Sequence, residues 1–212
     1  MRYRFRDVPS LINRYILRKD NNVFISPVDL RHIRRYAFAA KRFTPGTILD
    51  VACGSGYGSE LLDGVSTHYT GVDYAAYCIR YARAHYAGSQ REFLTCSVFR
   101  LSDCVGDRRF DSIVSFETIE HVADPEAMLA VLVGRLAPGG KLVLSIPLNH
   151  PDIIYHKKVY NHSDVQSMLR GYIQRGELHL DEFRQVHLDI DPILEPLPDA
   201  ANGTWLGVLK GK

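Results

Sequence analysis

Two acidic residues and a histidine stand close together in the segment Glu-Thr-Ile-Glu-His, residues 117–121. Residues three and four positions apart on a helical turn lie on one face, so Glu117, Glu120 and His121 would point the same way. Two carboxylates and an imidazole could hold a divalent metal ion, and His121 could instead accept a proton from a hydroxyl group. A third interpretation stays open, in which the carboxylates only stabilise the start of a helix and His121 packs near a ligand.

A glycine-rich loop lies earlier in the chain, in the segment ILDVACGSGYG at residues 48–58. Gly54, Gly56 and Gly58 permit positive φ and let a ligand approach the backbone closely. A dinucleotide-binding loop has the pattern G-x-G-x-x-G, and this chain has Ser59 where that pattern has its third glycine. Asp50 precedes the loop, and a nearby carboxylate disfavours a pyrophosphate but suits a cationic ligand. The loop therefore favours S-adenosylmethionine, which carries an ammonium and a sulfonium group, over NAD.

Two aspartates flank this loop, and each has a functional and a structural interpretation. Asp50 could contact the cationic ligand, orient the loop through hydrogen bonds to its backbone, or do both. Asp73 lies 19 residues after Gly54, at the end of the next predicted strand. A carboxylate there could accept two hydrogen bonds from ribose hydroxyls, although a lone Asp after a strand is commonly a helix N-cap. We expect the ribose role because Asp73 follows the glycine loop at the required spacing.

Alternating strands and helices must position these residues. Apolar runs predict strands at 47–52, 69–73, 92–96, 110–116 and 141–146. Helical spacing predicts helices at 75–86 and 125–136, the second with Asp124 as its N-cap and Pro125 behind it. Pro138-Gly139-Gly140 predicts a turn. Such alternation implies parallel strands with helices on both faces. In such sheets the ligand crevice lies at the carboxyl ends of the strands, where the glycine loop is placed.

The two ends of the chain follow other patterns. Ser26-Pro27 predicts the start of a helix that runs to about residue 43. Its cations are expected on a solvated face: Arg31, Arg34, Arg35, Lys41 and Arg42. A helix is predicted at 161–173, with Asn161 or Ser163 as its cap, and strands are predicted at 183–190 and 204–209. Two strands without a helix between them suggest an antiparallel hairpin at one sheet edge.

Composition excludes several other classes of protein. The 212 residues carry a formal net charge of +2, which argues against a nucleic-acid partner. The charged N-terminus lacks the apolar core of a secretion signal, and no run approaches the roughly 18 apolar residues of a membrane span. The four cysteines stand singly, which argues against zinc or a disulfide framework and for reduced thiols. We expect a cytoplasmic protein without a membrane span.

Together the motifs resemble the class I S-adenosylmethionine-dependent methyltransferases, in the branch of the ubiquinone-biosynthesis O-methyltransferases and many sugar and natural-product methyltransferases. The resemblance runs from about Arg31 to His150 and rests on ILDVACGSGYGSELL, YTGVDYA, FDSIVSFETIEHVADPEAML and LAPGGKLVLSIP. It implies an α/β fold with a Rossmann-like, seven-stranded, mostly parallel sheet, helices on both faces and a C-terminal antiparallel hairpin. We expect one domain with an N-terminal helical cap segment (1–43), a cofactor-binding core (44–150) and a substrate-side segment with the closing strands (151–212).

The resemblance also implies roles for individual residues. Gly54 and Gly56 would line the amino-acid end of the cofactor, Asp73 would bind its ribose, and Tyr74 would pack on its adenine. The family usually has an Asp after the third strand where this chain has Ser97, which leaves the adenine contact there open. Ubiquinone-pathway enzymes use the Glu-x-x-Glu-His spacing for a metal, but many relatives carry Glu-His without one, and we expect none here. The expected cofactor-binding residues are Asp50, Ala52, Gly54, Gly56, Asp73, Tyr74, Ser97, Val98, Phe116 and Glu117.

The methyl group of S-adenosylmethionine is already activated, so the protein mainly has to align an acceptor with it. A hydroxyl acceptor must also lose its proton, and the expected catalytic residues are His121 and Glu120, with His150 or His156 as second candidates. The lysines and tyrosines of residues 149–161, together with the arginines near residue 35, would suit a polar or anionic acceptor such as a sugar or sugar nucleotide.

The sequence thus predicts an S-adenosylmethionine-dependent enzyme, a monomer or homodimer, that O-methylates a small and possibly saccharide-linked acceptor. Two alternatives stay open. One is a non-catalytic relative that binds S-adenosylmethionine as a subunit of an assembly. The other is an NAD-dependent oxidoreductase on a similar sheet.

Overall fold

A computed structural model describes residues 27–150, 156–186 and 203–212, with backbone alone for 27–31 and 185–186. The described elements, in chain order, are α1 (Pro27–Ala40), β1 (Gly46–Val51), α2 (Gly58–Leu61), β2 (Ser66–Asp73), α3 (Ala76–Tyr86), β3 (Arg91–Thr95), α4 (Leu101–Val105), β4 (Phe110–Phe116), α5 (Pro125–Gly134), β5 (Leu136–Leu148), α6 (His162–Gln174), β6 (Leu178–Val186) and β7 (Gly203–Gly211). Short 3₁₀ turns lie at Asp63–Val65, Val98–Arg100 and Ile119–His121.

The strands form one seven-stranded sheet in the order β3-β2-β1-β4-β5-β7-β6. Strands β1 to β5 pair in parallel, and β7 pairs antiparallel with both β5 and β6. The chain leaves β1 toward β2 on one side, and β4 pairs with β1 on the other. The crevice outside this reversal is where open α/β sheets bind ligands. The predicted mostly parallel sheet with a C-terminal antiparallel hairpin is confirmed.

Apolar side chains cover both faces of the sheet. On one face Tyr36 of α1 and Ile79 of α3 pack on Ile48 and Phe93, and on the other Leu132 of α5 and Leu169 of α6 pack on the β5 side chains. Burial of such side chains is the main stabilising term of a fold of this kind. Among the described residues, no helix is long and apolar enough to cross a bilayer.

Two predicted helix caps are present, whereas the predicted cap Ser26 lies outside the described residues. Asp124 accepts a hydrogen bond from the Ala127 amide at 2.9 Å, and Pro125 occupies the first helical position of α5. Asn161 and Asp164 form a capping box at the start of α6. These side chains satisfy amide groups that have no partner within the helix, which fixes where each helix begins.

The predicted turn at Pro138-Gly139-Gly140 is instead a bulge inside β5. Phe110 pairs with Leu136 and Ser112 pairs with Lys141, so Asp111 alone lies opposite residues 137–140. Gly139 has a φ of 71°, which a glycine adopts without strain. These residues do interrupt the regular pairing, as their sequence predicts. The strand nevertheless continues, because β4 pairs with β5 both before and after the bulge. In the closing hairpin, β6 begins at Leu178, before the predicted position, and residues 187–190 of the prediction lie outside the described residues.

Helix α1 does not have the fully solvated cationic face that its sequence predicts. Arg34 and Lys41 are exposed, but Arg35 is buried and Arg42 binds both carboxylate oxygens of Glu182 on β6, at 2.7 and 2.8 Å. The helix packs along more of its circumference than a single apolar stripe requires, so a cation on its flank is enclosed. The side chain of Arg31 lies outside the described residues.

The prediction of four reduced cysteines is wrong for two of them. Cys96, after β3, and Cys104, on α4, are joined in a disulfide. Cys53 and Cys78 are free and buried. The spacing of Cys96 and Cys104 in the sequence does not predict this disulfide, because the bond depends on how the chain folds back between the end of β3 and α4.

Candidate cofactor and acceptor site

The glycine loop turns sharply after β1. Ala52, Gly54 and Gly56 have φ values of 63°, 55° and 86°. A Cβ atom on Gly56 would lie 2.7 Å from both Ala82 Cβ and Phe93 Cε1, so the loop packs tightly on α3 and β3 there. A Cβ atom on Gly54 would meet nothing within 4 Å. Gly56 therefore serves packing, whereas Gly54 faces open space at the crevice.

Asp73 lies at the carboxyl end of β2, beside this loop. Its Oδ2 accepts a hydrogen bond from the Gly54 amide at 2.9 Å, and its Oδ1 accepts one from the Ala75 amide at 2.8 Å. Both backbone bonds are those of a structural aspartate. Because each carboxylate oxygen can accept a further bond, the same group can still receive ligand hydroxyls. The predicted proximity of Asp73 to the loop is thus present in the structure.

Asp50 is held by two tyrosines rather than by the loop backbone. Its Oδ2 accepts hydrogen bonds from the Tyr36 hydroxyl at 2.8 Å and the Tyr69 hydroxyl at 2.6 Å, and the residue is 1% exposed. Burial raises the pKa of Asp50 to about 7, although both tyrosine bonds act to lower it. Asp50 therefore ties α1 and β2 beneath the loop. Sequence reasoning missed both tyrosines, although Tyr36 lies on the apolar face of the predicted helix.

The expected adenine side of the crevice carries an open aromatic ring. Tyr74 directly follows Asp73 and is 81% exposed. Ser97 and Val98, half-buried, begin the 3₁₀ turn after β3. The Cys96 amide donates to the Asp73 carbonyl at 2.9 Å, which brings this turn to the end of β2. The structure therefore places Tyr74, Ser97 and Val98 at neighbouring strand ends, as predicted.

Glu117 ends β4 in a conformation that is unusual for a side chain of its size. Its φ is 48°, in the left-handed region. Its amide donates to the Ser145 carbonyl and hydroxyl oxygens at 3.1 and 3.0 Å, and the Ser145 hydroxyl donates to its Oε1 at 2.7 Å. The preceding Phe116 is buried edge-to-face on Tyr36, with ring centroids 5.0 Å apart. These contacts fix Glu117 at the crevice.

Arg35 reaches Glu117 from helix α1. Its Nη2 lies 3.4 Å from Glu117 Oε2 and donates to Thr204 Oγ1 at 3.3 Å. The residue is 5% exposed, and its Nη1 is buried without a hydrogen-bond partner among the described residues. A buried guanidinium with an unused donor fits a ligand carboxylate. The sequence placed Arg35 on a solvated face and, with its neighbouring arginines, beside an anionic acceptor, and it did not predict the contact with Glu117.

Glu120 is a fully enclosed acidic group of this site. It is 1% exposed, and neither carboxylate oxygen has a hydrogen-bond partner among the described residues. Burial and the nearby charge of Glu117 raise its pKa well above the ordinary value. An enclosed carboxylate without a partner is costly for the fold, which points to a ligand or to a catalytic use.

His121 and His156 lie against Glu120. His121 Nε2 is 3.6 Å from Glu120 Oε1, and the two imidazole rings have centroids 4.9 Å apart. His156 comes from the segment after β5, which is anchored by the Lys157 amide donating to the Glu120 carbonyl at 2.7 Å. The ligand atoms of Glu120, His121 and His156 lie within 4.8 Å of one another.

The geometry revises the predicted cluster. Glu120 and His121 belong to the 3₁₀ turn, whereas Glu117 precedes it in a left-handed conformation, so the three residues do not share one helical face. Glu117 does not belong to the group of ligand atoms that Glu120, His121 and His156 form. The unpartnered Glu120 carboxylate beside two imidazoles is a set of groups that could hold a divalent cation, and the expectation that no metal binds stays a prediction.

Comparison with known proteins identifies the family of this chain. A family model described as a methyltransferase domain matches residues 25–187. The chain belongs to this methyltransferase family. The mitochondrial ubiquinone biosynthesis O-methyltransferase of Arabidopsis thaliana is 34% identical over 126 residues, which cover 58% of this chain and 38% of that protein. The chain spans half or less of the length of such curated relatives.

Solved structures share the fold of this methyltransferase. The N-methyltransferase NodS of Bradyrhizobium japonicum WM9, in complex with S-adenosylhomocysteine, has a TM-score of 0.68 at 17% identity and covers 97% of this chain and 98% of its own. The [4+2]-cyclase SpnF has a TM-score of 0.68 at 12% identity, covering 97% and 93%. The family and the fold decide between the two predicted cofactors in favour of S-adenosylmethionine.

Proposed function

We propose that this methyltransferase transfers the methyl group of S-adenosylmethionine to a hydroxyl group of a small polar acceptor, such as a sugar, a sugar nucleotide or another small metabolite. The observation that carries the proposal is the buried, unpartnered Glu120 beside His121, one turn beyond the end of β4 and next to the glycine-loop crevice. A methyl donor needs no activation by the protein, whereas a hydroxyl acceptor does, and this pair is the group in the crevice that is suited to that task.

The cofactor would lie along the ends of β1, β2 and β4. Gly54 gives its amino-acid end access to the backbone, and the unused Nη1 of Arg35 suits its carboxylate. Glu117 suits the ammonium group, Asp73 the ribose, and Tyr74 the adenine ring. Asp50 and Gly56 support this arrangement from beneath. The full proposed set is Arg35, Asp50, Ala52, Gly54, Gly56, Asp73, Tyr74, Ser97, Val98, Phe116 and Glu117.

The reaction would be a direct displacement at the methyl carbon. The acceptor oxygen forms a bond to that carbon while the carbon–sulfur bond breaks, which leaves S-adenosylhomocysteine. The acceptor proton would pass to His121, which Glu120 orients. If a divalent cation were bound, Glu120 and His121 would help to hold it, and it would supply Lewis-acid chemistry that lowers the pKa of the acceptor hydroxyl. Alignment of the two reactants supplies most of the remaining acceleration.

The acceptor side supports a polar acceptor by its chemistry. Besides Glu120, the buried Nε2 of His150 has no partner among the described residues. Lys157 and Lys158 are exposed, and Lys158 Nζ lies 3.9 Å from Asp164 Oδ1. These lysines therefore support an anionic acceptor less strongly than the buried groups support a polar one. The named O-methylation of the ubiquinone relatives supports a hydroxyl acceptor. The cap segment 1–43 and the segment 151–212 would complete a single domain around this acceptor.

The test is a methyl-transfer assay with isotopically labelled S-adenosylmethionine and a panel of sugars, sugar nucleotides and phenols, with products identified by mass spectrometry. We expect one class to be methylated on oxygen. His121→Asn should lower kcat by about 10²–10⁴-fold with an unchanged affinity for S-adenosylhomocysteine.

His179→Asn is the matched control, because His179 is exposed on β6, far from the crevice in the sheet order. Methylation on nitrogen would support an activity like that named for NodS. An intact cofactor site that never turns over would support the non-catalytic alternative. Chemistry without methyl transfer, which the name of the [4+2]-cyclase SpnF illustrates, would overturn the proposed reaction.

A further inference from the structure

The cluster of Glu120, His121 and His156 combines parts of the chain that are remote in sequence. Glu120 and His121 lie on the 3₁₀ turn after β4, and His156 lies on the segment after β5. Their ligand atoms are within 4.8 Å of one another. The two backbone segments are joined directly, because the amides of Lys157 and Lys158 both point to the Glu120 carbonyl, at 2.7 and 3.4 Å. The approach of His156 is therefore built into the fold.

Glu120 supplies an independent sign that this cluster receives a ligand. Both of its carboxylate oxygens are buried and lack any hydrogen-bond partner among the described residues. Isolated ionised carboxylates are rarely buried unless they are paired or coordinate a metal. The adjacent imidazoles can serve as neutral nitrogen ligands for the same ion.

Glu117, by contrast, is already engaged. One carboxylate oxygen accepts the Ser145 hydroxyl at 2.7 Å, and the other faces the buried Arg35 guanidinium at 3.4 Å. If this carboxylate turned toward an ion, the buried Arg35 would lose its ion pair with Glu117. Its Nη1 would still have no hydrogen-bond partner among the described residues. That rearrangement costs more free energy than using His156 as the third ligand, because the His156 ring already lies beside His121.

We propose that His156, and not Glu117, completes a divalent transition-metal site with Glu120 and His121. The inference rests on the proposed function, for which it names the group that activates the acceptor hydroxyl. Two imidazole nitrogens and one carboxylate oxygen suit Zn²⁺, Co²⁺ or Mn²⁺ rather than Mg²⁺, which prefers oxygen ligands and octahedral geometry. Three protein ligands leave at least one position open, as in catalytic zinc sites.

The cluster must contract slightly around an ion. Two ligands that are each about 2.1 Å from one ion can be no more than roughly 4.2 Å apart, so a separation as wide as 4.8 Å would have to close by about 0.6 Å or more. The His121 side chain is 40% exposed, and a small rotation of its ring is enough. Glu120 and the anchored His156 segment can keep their places.

The experiment is a titration of tag-free, metal-stripped protein with Co²⁺ alone, followed by visible absorption spectroscopy and by calorimetry. We expect one ion per chain and the absorption bands of nitrogen-ligated Co²⁺, displaced by Zn²⁺ and not by Mg²⁺. His156→Ala and His121→Ala should each weaken the affinity by about 100-fold or more, whereas Glu117→Gln should change it less than about threefold.

Two controls keep the result interpretable. His85→Ala removes an exposed histidine of α3 and should leave the spectrum unchanged. S-adenosylhomocysteine binding, measured on every variant, reports whether the cofactor half of the fold is intact. No Co²⁺ binding to the wild type would overturn the proposal, and so would a site lost in Glu117→Gln but kept in His156→Ala. Neither result would decide the proposed function, because the methyl-transfer assay tests that function independently of metal binding.

Discussion

The two halves of the crevice differ in how completely their polar groups are satisfied. On the cofactor side, the carboxylates of Asp50 and Asp73 each accept two hydrogen bonds, from tyrosine hydroxyls and from loop amides. On the acceptor side, Glu120 and His150 each bury polar atoms without a partner among the described residues. Apart from the unpartnered Nη1 of Arg35, which suits the cofactor carboxylate, these groups of the cofactor side are satisfied by the protein alone. The acceptor side is arranged for groups that a ligand or an ion brings.

This difference has a physical reason. A loop that binds a cofactor through its backbone must hold one shape, and internal hydrogen bonds hold it. A group that activates an acceptor must keep lone pairs or donors available, which lowers the stability of the fold. Substitutions in the two regions should therefore change the free energy of unfolding in opposite directions.

The largest stability loss is expected in the glycine loop. Gly56→Ala combines a φ of 86° with a Cβ 2.7 Å from Ala82 and Phe93 atoms. We expect a loss of about 2–5 kcal/mol from strain and overpacking, measured by urea unfolding. Gly54→Ala, whose Cβ meets nothing, should cost only about 1–2 kcal/mol but weaken S-adenosylhomocysteine binding, because its methyl group enters the crevice. Equal losses for the two variants would show that the loop is not packed as described.

A smaller effect of the opposite sign is expected on the acceptor side. Glu120→Met replaces a buried, unpartnered carboxylate with an apolar side chain of similar size. In metal-free protein we expect the free energy of unfolding to rise by about 1–3 kcal/mol while methyl transfer falls to background. A destabilised variant would mean that Glu120 has a structural role, and the contrast between the two regions would fail.

The sequence predicted the sheet because its apolar runs and caps are local signals. Strand 110–116 and the Asp124 cap are confirmed as predicted. The same patterns predicted the glycine loop and Asp73, whose motifs are contiguous or regularly spaced. The bulge at Gly139 could not be predicted from sequence, because it depends on how β5 pairs with the residues of β4.

The contacts between remote parts of the chain were harder to predict from sequence. Arg35 and Tyr36 act through contacts with Glu117 and Asp50, and such contacts exist only once α1 has docked on the sheet. His156 joins Glu120 and His121 through the path of the chain after β5, which no spacing rule encodes. The helical-face argument for Glu117 failed because the chain forms a 3₁₀ turn after a left-handed residue.

The most direct test of the account is calorimetric titration of the purified protein with S-adenosylhomocysteine. Wild type should bind one molecule per chain, and Asp73→Ala should bind about 100-fold more weakly or not at all, because the hydrogen bonds to its carboxylate are lost. Asp63→Ala, which breaks only the Arg91 pair outside the crevice, should bind like wild type. Folded wild-type protein that does not bind S-adenosylhomocysteine, or Asp73→Ala that binds equally well, would contradict the account.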